Sequence, residues 1–419
     1  MSRVLIVGPG RIGCGYLAPL FHAAGWEVVL GAPTEDTAAR IRRADGFRVR
    51  ITTAPPAGSN GSGAHQRAFE VRGVTAVAVG SEAFEHAVAG ADLVCASVGV
   101  ANATSIAASL ARGLARRAPD RRLDVWSVEN GNCAPELEAR VRDVAAAEGS
   151  SLPPVGFAGA IAEPAVAHGD WRQAERPEFV GDDARVLYVD ARPLTTPLPN
   201  LPGIVPIRDY EGRLREKLYV FNGGHTICAY LGWLRGHATI AEAVADPLLR
   251  PLVVGSLLES RRALLALHPE LGDDLHGPVA EALRRYADPA LQDPVVRVAR
   301  NPLRKLRRHD RLIGPAELIR RATGRLPVYF ALGAAGALLY RGDDDPETTQ
   351  LASRLAAEGV MAVLNSVCGL ARDDELADAI ATRYCGFIVT PEETLFPPVH
   401  VPLAVFQASA RANSRLAAR

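Results

Sequence analysis

The stretch Lys217-Leu-Tyr-Val-Phe-Asn222-Gly-Gly-His225 sets an amine, an amide and an imidazole close together in an otherwise apolar, aromatic-rich run. Taken as α-helix at 100° per residue, it puts Asn222 about 140° and His225 about 80° round from Lys217, so all three share one side. A cationic residue, a neutral hydrogen-bonder and a titratable ring so grouped are equipped to deprotonate and polarise a hydroxyl. The same residues also describe a plain helix edge, with a snorkelling lysine and a satisfied histidine. Spacing alone leaves both readings open, and what tips the balance lies upstream.

There, Gly8-Pro-Gly10-Arg11-Ile12-Gly13 directly follows the strand Val4–Val7 and directly precedes a helix. Gly8 permits a tight turn, Gly10 lets the backbone approach a pyrophosphate, and Gly13 lets helix and strand pack closely. The helix N-terminus adds free N–H groups and positive dipole for the phosphates. Ala32, Ser97-Val98-Gly99 and Glu129-Asn130, at the ends of later strands, complete the expected nucleotide-binding set. One part of the fingerprint is missing. The second strand, Glu27-Val-Val-Leu30, ends in Gly31-Ala32 where an Asp or Glu usually accepts from the adenine ribose. Glu35 or Asp36 can substitute, keeping NAD, or Thr34 with Arg40, Arg42 or Arg43 can hold a 2′-phosphate, favouring NADP; both stay open.

These groups need a scaffold, and the pattern supplies an α/β one. Residues 3 to about 150 alternate strands (Val4–Val7, Val28–Leu30, Ala76–Val79, Leu93–Ala96, Val125–Val128) with helical stretches such as Tyr16–Ala24 and Ser105–Ala118. Such alternation predicts a Rossmann-type parallel sheet with helices on both faces. From 151 to 213 short, proline-punctuated strands predict an irregular, partly antiparallel extension. The chain from 214 is mostly helical, with breaks near Pro247, Pro269, Pro294, Pro302 and Pro327. Two domains are expected: a dinucleotide-binding domain over 1–213, with its Rossmann core at about 1–150, and a helical substrate and catalytic domain over 214–419. The segment 54–64 reads as a mobile surface loop, and the tail beyond Phe387 as extended chain ending in a short basic helix.

Composition narrows the function. Hydrophobic residues make up 48% and charged ones 22%, with Lys+Arg and Asp+Glu equal at 47 each. That balance offers no basic footprint for nucleic acid and no polybasic membrane patch. Six dispersed cysteines without a CxxC pair read as reduced core thiols, and no His pair shows metal-ligand spacing. No apolar run reaches the ~18 residues of a membrane span, and there is no charged leader, so a cytoplasmic protein is the expectation.

With both motifs in hand, the chain resembles the polyol-specific long-chain dehydrogenases, the mannitol dehydrogenase family, from residue 3 to about 385. The glycine turn, Val128-Glu-Asn130 and Lys217-xxxx-Asn222-xx-His225 carry the likeness. Ala229-Tyr-Leu-Gly-Trp-Leu-Arg-Gly-His237 and Arg297-Val-Ala-Arg-Asn-Pro-Leu-Arg-Lys305-Leu support it. The resemblance implies Lys217 as general base, Asn222 and Asn130 as the clamp on the reacting oxygen, and His225 as a substrate holder. It implies NAD or NADP as cofactor, no metal, and a monomer or small homo-oligomer. Some of Arg297, Arg300, Arg304 and Lys305 are expected to face the substrate, as a sugar phosphate would require. The competing reading is a solvated basic face continued by Arg307, Arg308 and Arg311.

The chain departs from the family pattern after the fifth strand. Where G-F-V-D-R-I-x-P is usual, it has Gly156-Phe-Ala-Gly159-Ala160-Ile-Ala-Glu163-Pro164. The expectation is that Gly159 and Ala160 remove a charged pair from the pocket wall, which leaves the reaction type intact and the substrate open. The leading reading is an oxidoreductase interconverting a secondary alcohol of a polyol, or polyol phosphate, and its ketone. The alternatives are the same chemistry on a hexuronate, a cyclitol or a specialised polyol, and a catalytically inactive nucleotide-binding sensor or scaffold.

Overall fold

The computed structural model describes residues 1–55, 65–343 and 345–389; most of the 54–64 segment and the tail beyond 389 lie outside them. The described residues form twelve strands: β1 (Arg3–Val7), β2 (Glu27–Ala32), β3 (Gly46–Thr53), β4 (His65–Arg72), β5 (Thr75–Ala78), β6 (Leu93–Ala96), β7 (Leu123–Val128), β8 (Val155–Ala162), β9 (Val166–His168), β10 (Glu178–Asp182), β11 (Leu187–Asp190) and β12 (Ile204–Ile207). Eight form one sheet in the order β12-β11-β8-β7-β6-β1-β2-β5. All neighbours in it are parallel except β8 and β11.

Apolar residues alternate between the two faces of each central strand, because successive Cβ atoms point to opposite sides. Val4, Ile6, Val28 and Leu30 join the core on one face, while Leu5, Val7, Val29 and Val94 join that on the other. Burial on both faces explains why these strands read as unbroken hydrophobic runs. The turn after β1 sits at the C-terminal edge of this sheet, where the strand order reverses between β6 and β2 around β1. Ligands of open α/β sheets bind in such crevices.

The extension at 151–213 divides its strands between two sheets, which the sequence reading did not foresee. β8, β11 and β12 enlarge the main sheet, but β9 and β10 pair with the hairpin β3–β4 in a four-stranded second sheet, order β4-β3-β10-β9. This sheet packs over the helix after β1: a Cβ on Gly15 would meet Val166 at 2.7 Å and Phe179 at 3.4 Å.

The helical part begins at Tyr210 and surrounds the buried helix Asn222–Leu234. That helix packs against Leu249–Leu267 and Val328–Leu339 within one continuous apolar core. The expected breaks coincide with prolines at helix boundaries. Ile240–Ala245 stops before Pro247 and Leu249–Leu267 before Pro269, while Pro294, Pro302 and Pro327 start new helices. A proline lacks the N–H and clashes in a helix interior, yet it is at home at the start. No helix among the described residues is long and apolar enough to cross a membrane.

Candidate active site

A cavity of about 930 Å³ lies between the C-terminal edge of the main sheet and the helix that carries Lys217. On the sheet side, Gly8 has φ +101°, and a Cβ there would fall 2.2 Å from the Ser97 carbonyl oxygen. A Cβ on Gly13 would fall 2.0 Å from the Gly8 carbonyl oxygen, so Gly13 is required by packing and does not itself line the cavity. Gly10 differs: nothing lies within 4 Å of its Cβ position, and it faces the cavity. That open cradle at the start of a helix fits a pyrophosphate.

Arg11, Ile12, Ser97, Val98, Gly99, Glu129 and Asn130 all line the same space. Glu129 accepts from the backbone N–H groups of Val98 (2.7 Å) and Gly99 (2.8 Å), which ties the loops after β6 and β7 together. Burial pushes its carboxyl up to about 7 against the pull of those two bonds. Ala32 is fully buried off the cavity wall; its neighbours Gly31 and Pro33 face the space, as strand alternation requires. Among the ribose candidates, Arg42 is committed to the Ala76 carbonyl and to Glu35, and Arg40 to the Trp171 carbonyl.

On the helical side the backbone departs from the expected geometry. Glu216–Phe221 is a π-helical turn, not α-helix, and the Asn222 N–H bonds to the Lys217 carbonyl. A residue added to the turn brings positions five apart closer together round the helix axis. Asn222 therefore stands nearer to Lys217 in angle than the ~140° of an α-helix.

The Lys217 amine donates to the Ala162 carbonyl at the end of β8. Burial lowers it to about 8; the Glu163 carboxylate opposes that fall, while the guanidiniums of Arg285 and Arg311 add to it. The Asn222 amide nitrogen is buried and has no hydrogen-bond partner among the described residues. A buried donor without an acceptor costs free energy unless a ligand supplies one, and this donor borders the cavity. His225 is locked: its Nε2 lies 3.2 Å from Asp293, and its ring stacks on Tyr286 at 4.8 Å. Burial holds its pKa below the usual imidazole value despite the Asp293 carboxylate.

Arg297, Arg300, Arg304 and Lys305 also line the cavity, though not as equals. Arg297 forms a bidentate pair with Asp293 (2.5 and 2.6 Å), so it braces the histidine. Among the described residues, Arg304 keeps a buried Nε with no hydrogen-bond partner and Arg300 has no carboxylate partner. Arg311, assigned by the competing reading to a solvated face, is 8% exposed and lines the cavity; Arg307 and Arg308 are exposed, as that reading expected.

The departure at Gly159–Ala160 is also relocated. Both residues are buried inside β8 and neither borders the cavity; a Cβ on Gly159 would strike the Tyr210 ring at 2.3 Å. The charge on this wall comes from Glu163, just past the strand, which the sequence reading left without a role. Arg285 secures it: the guanidinium donates to the Glu163 carbonyl (2.8 Å) and to Asp182 on β10 (2.7 Å), and lies 4.0 Å over the Phe221 ring. Asp293, four residues before Arg297, was readable as an ion pair; Glu163, Arg285 and Tyr286 have no local signature. Among the described residues one group could hold a metal ion, Asp209, His268 and Glu270, and none of the three lines the cavity.

The arrangement can bind a dinucleotide on one wall and hold an alcohol oxygen between an amine and an amide on the other. Residues 207–387 match the family model described as the mannitol dehydrogenase C-terminal domain. The chain is 31% identical over 386 residues to mannitol-1-phosphate 5-dehydrogenase of Bacillus pumilus, covering 90% of this chain and 98% of that one. It is 30% identical to the enzyme of the same name from Bacillus licheniformis, over 88% and 96% of the two chains. Its fold is similar to that of mannitol 2-dehydrogenase from Pseudomonas fluorescens, solved with NAD and D-mannitol, at a TM-score of 0.72 and 13% identity over 96% and 95% of the chains. The chain belongs to the mannitol dehydrogenase family of oxidoreductases.

Proposed function

We propose that this protein is a nicotinamide-nucleotide-dependent dehydrogenase that interconverts a secondary alcohol of a polyol phosphate and the corresponding ketone, with Lys217 as general base. One observation carries the reading: a buried amine whose pKa burial lowers to about 8 and an amide donor without a partner among the described residues, set on one π turn, share a cavity with an open glycine cradle. Gly8, Gly10 and the first helical N–H groups would hold the pyrophosphate, and the nicotinamide nucleotide, when bound, supplies the hydride acceptor. The chain's own residues handle the proton and the charge. Neutral Lys217 accepts the hydroxyl proton on Nζ. Asn222 and Asn130 donate to the oxygen as negative charge develops, and a preorganised donor there costs nothing to reorient. His225, held by Asp293 and Tyr286, gives the site a fixed wall.

Arg300, Arg304 and Arg311 gather positive charge around Lys305 on the cavity wall, with Asp310 paired to Arg311 at 2.6 Å. That surplus suits a dianionic phosphate, and the named Bacillus relatives act on a phosphorylated polyol. A hexuronate would present a carboxylate to the same cations, which makes it the second reading. An oxidation screen of polyols, their phosphates and hexuronates with NAD⁺ and NADP⁺ in parallel tests the proposal. Turnover confined to phosphorylated polyols supports it; turnover confined to neutral polyols or hexuronates refutes the phosphate assignment.

A further inference from the structure

Lysine occurs twice in this chain, against 47 basic residues in all, and both lysines open on the same cavity. Arginine stays charged wherever it sits, whereas burial can drive a lysine amine neutral. Lys217 needs that property as a base. Lys305 shares the environment without sharing the position.

Its residue is 3% exposed, and its Nζ donates to the Arg300 carbonyl. An ammonium carries three N–H donors, and among the described residues this carbonyl is the sole acceptor they meet. The guanidiniums of Arg311, Arg304 and Arg300 face the amine. The opposing charge of Asp310 is already bonded to Arg311 and lies 4.0 Å from Arg304. Adding a further positive charge to this group, out of water, is unfavourable on both grounds. Burial first, and then the arginines, hold Lys305 well below the ordinary lysine range.

We propose that Lys305 is a neutral amine in the substrate-free protein and takes up one proton from solvent as the anionic group of the substrate enters, so that anion and proton bind together. The bookkeeping is simple: amine plus proton gives ammonium, with no bond to carbon made or broken. The incoming dianion removes the obstacle, since it offers acceptors to the two idle N–H positions and cancels the surrounding positive charge. A neutral polyol brings neither. The cavity therefore gains its last cation only with the ligand that needs it, which favours phosphorylated over neutral substrates. This inference rests on the phosphate reading of the cluster.

Sulfate is the probe, because its own protonation does not change near neutrality. Calorimetric titration of the full-length protein with sulfate, in two buffers of different ionisation enthalpy at one pH, counts the protons exchanged. The expected result is uptake of about one proton per sulfate, with affinity falling about tenfold per pH unit between the free and anion-bound pKa values of Lys305. Lys305→Met should bind sulfate at least about tenfold more weakly and without uptake. If that variant fails to fold, Lys305→Arg, permanently charged, should bind sulfate with no uptake. Buffer-independent heats in the wild-type protein, no sulfate binding at all, or uptake persisting in the folded variants overturns the proposal. Turnover separates this from the parent reading: an enzyme that oxidises polyol phosphates yet binds sulfate without uptake loses only the proton linkage, whereas one that oxidises only neutral polyols loses the phosphate assignment.

Discussion

Two π-helical turns support the cavity, Gly13–Leu17 behind the glycine turn and off the cavity wall, and Glu216–Phe221 on that wall beneath Asn222. The same backbone device does different jobs in the two places. The first carries no charged side chain, and what it offers is main chain, with Gly13 seated under the Gly8 carbonyl. The second offers side chains. Lys217 and Asn222 both face the cavity, while Glu216 turns into the helical core and pairs with the buried Arg261 at 2.5 Å. A widened turn, it follows, is a way to change register, and the residues placed on it decide whether backbone or functional groups profit.

Substitutions on the second turn should lose chemistry while nucleotide binding survives. Lys217→Met should lower kcat for alcohol oxidation by about 10²–10⁴-fold, the range of a positioned general base, with the dissociation constant for NAD⁺ or NADP⁺ unchanged. Turnover within tenfold of wild type would take the base role away from Lys217. Asn222→Ala should cost about 10²–10³ in kcat, as for loss of one oxyanion donor. Its melting temperature should hold or rise, because the amide nitrogen has no partner among the described residues to lose. A clear fall in melting temperature would mean that Asn222 is structural.

Substitutions in the glycine turn that leads into the first π turn should do the reverse and separate Gly13 from Gly10. Gly13→Ala forces a methyl to within 2.0 Å of a backbone oxygen. It should lose about 1–3 kcal/mol or more of stability, measured by denaturant unfolding. Gly10→Ala points into open space and should leave stability nearly unchanged while raising KM for the nucleotide. Equal destabilisation by both would erase the distinction between a packing glycine and a cradle glycine.

That distinction was largely visible in the chain itself. Each glycine of the turn answers a local need, and the prolines that bound the helices act over one or two residues, so short-range reading suffices. The π turn was out of reach, because any periodicity argument assumes 100° per residue, and nothing in Lys217–Asn222 announces the extra residue. The small sheet was missed for a different reason. β4 is exposed and polar through most of its length, so it lacks the apolar pattern that marks a half-buried strand. Arg311 was discounted because it continues a basic run; tertiary packing, not spacing, buries it beside Lys305. Gly159 and Ala160 were given a place on the wall that belongs to Glu163, three to four residues on, because alignment by motif fixes neither which way a strand faces nor where it ends.

The smallest expected effect tests that last correction. Oxidation needs Lys217 as neutral amine, so its rate should climb with pH through the value near 8, while ketone reduction needs the ammonium and should decline through it. The Glu163 carboxylate favours the ammonium, whereas Arg285 and Arg311 favour the neutral form. Removing the negative charge with Glu163→Gln therefore lowers the Lys217 pKa further. Both limbs should move to lower pH by about one pH unit, the lower bound for a nearby opposite charge. At a pH just below the wild-type limb, the variant should then oxidise faster and reduce more slowly than wild type. A change that merely loosened the wall would depress both directions at every pH. Asp182 also faces Lys217 and still favours the ammonium in the variant, so the shift should be partial, and Glu163→Asp should restore much of it. Limbs that stay in place in Glu163→Gln would mean that the carboxylate does not set the ionisation of the base, and that burial and the remaining charges tune Lys217 on its π turn.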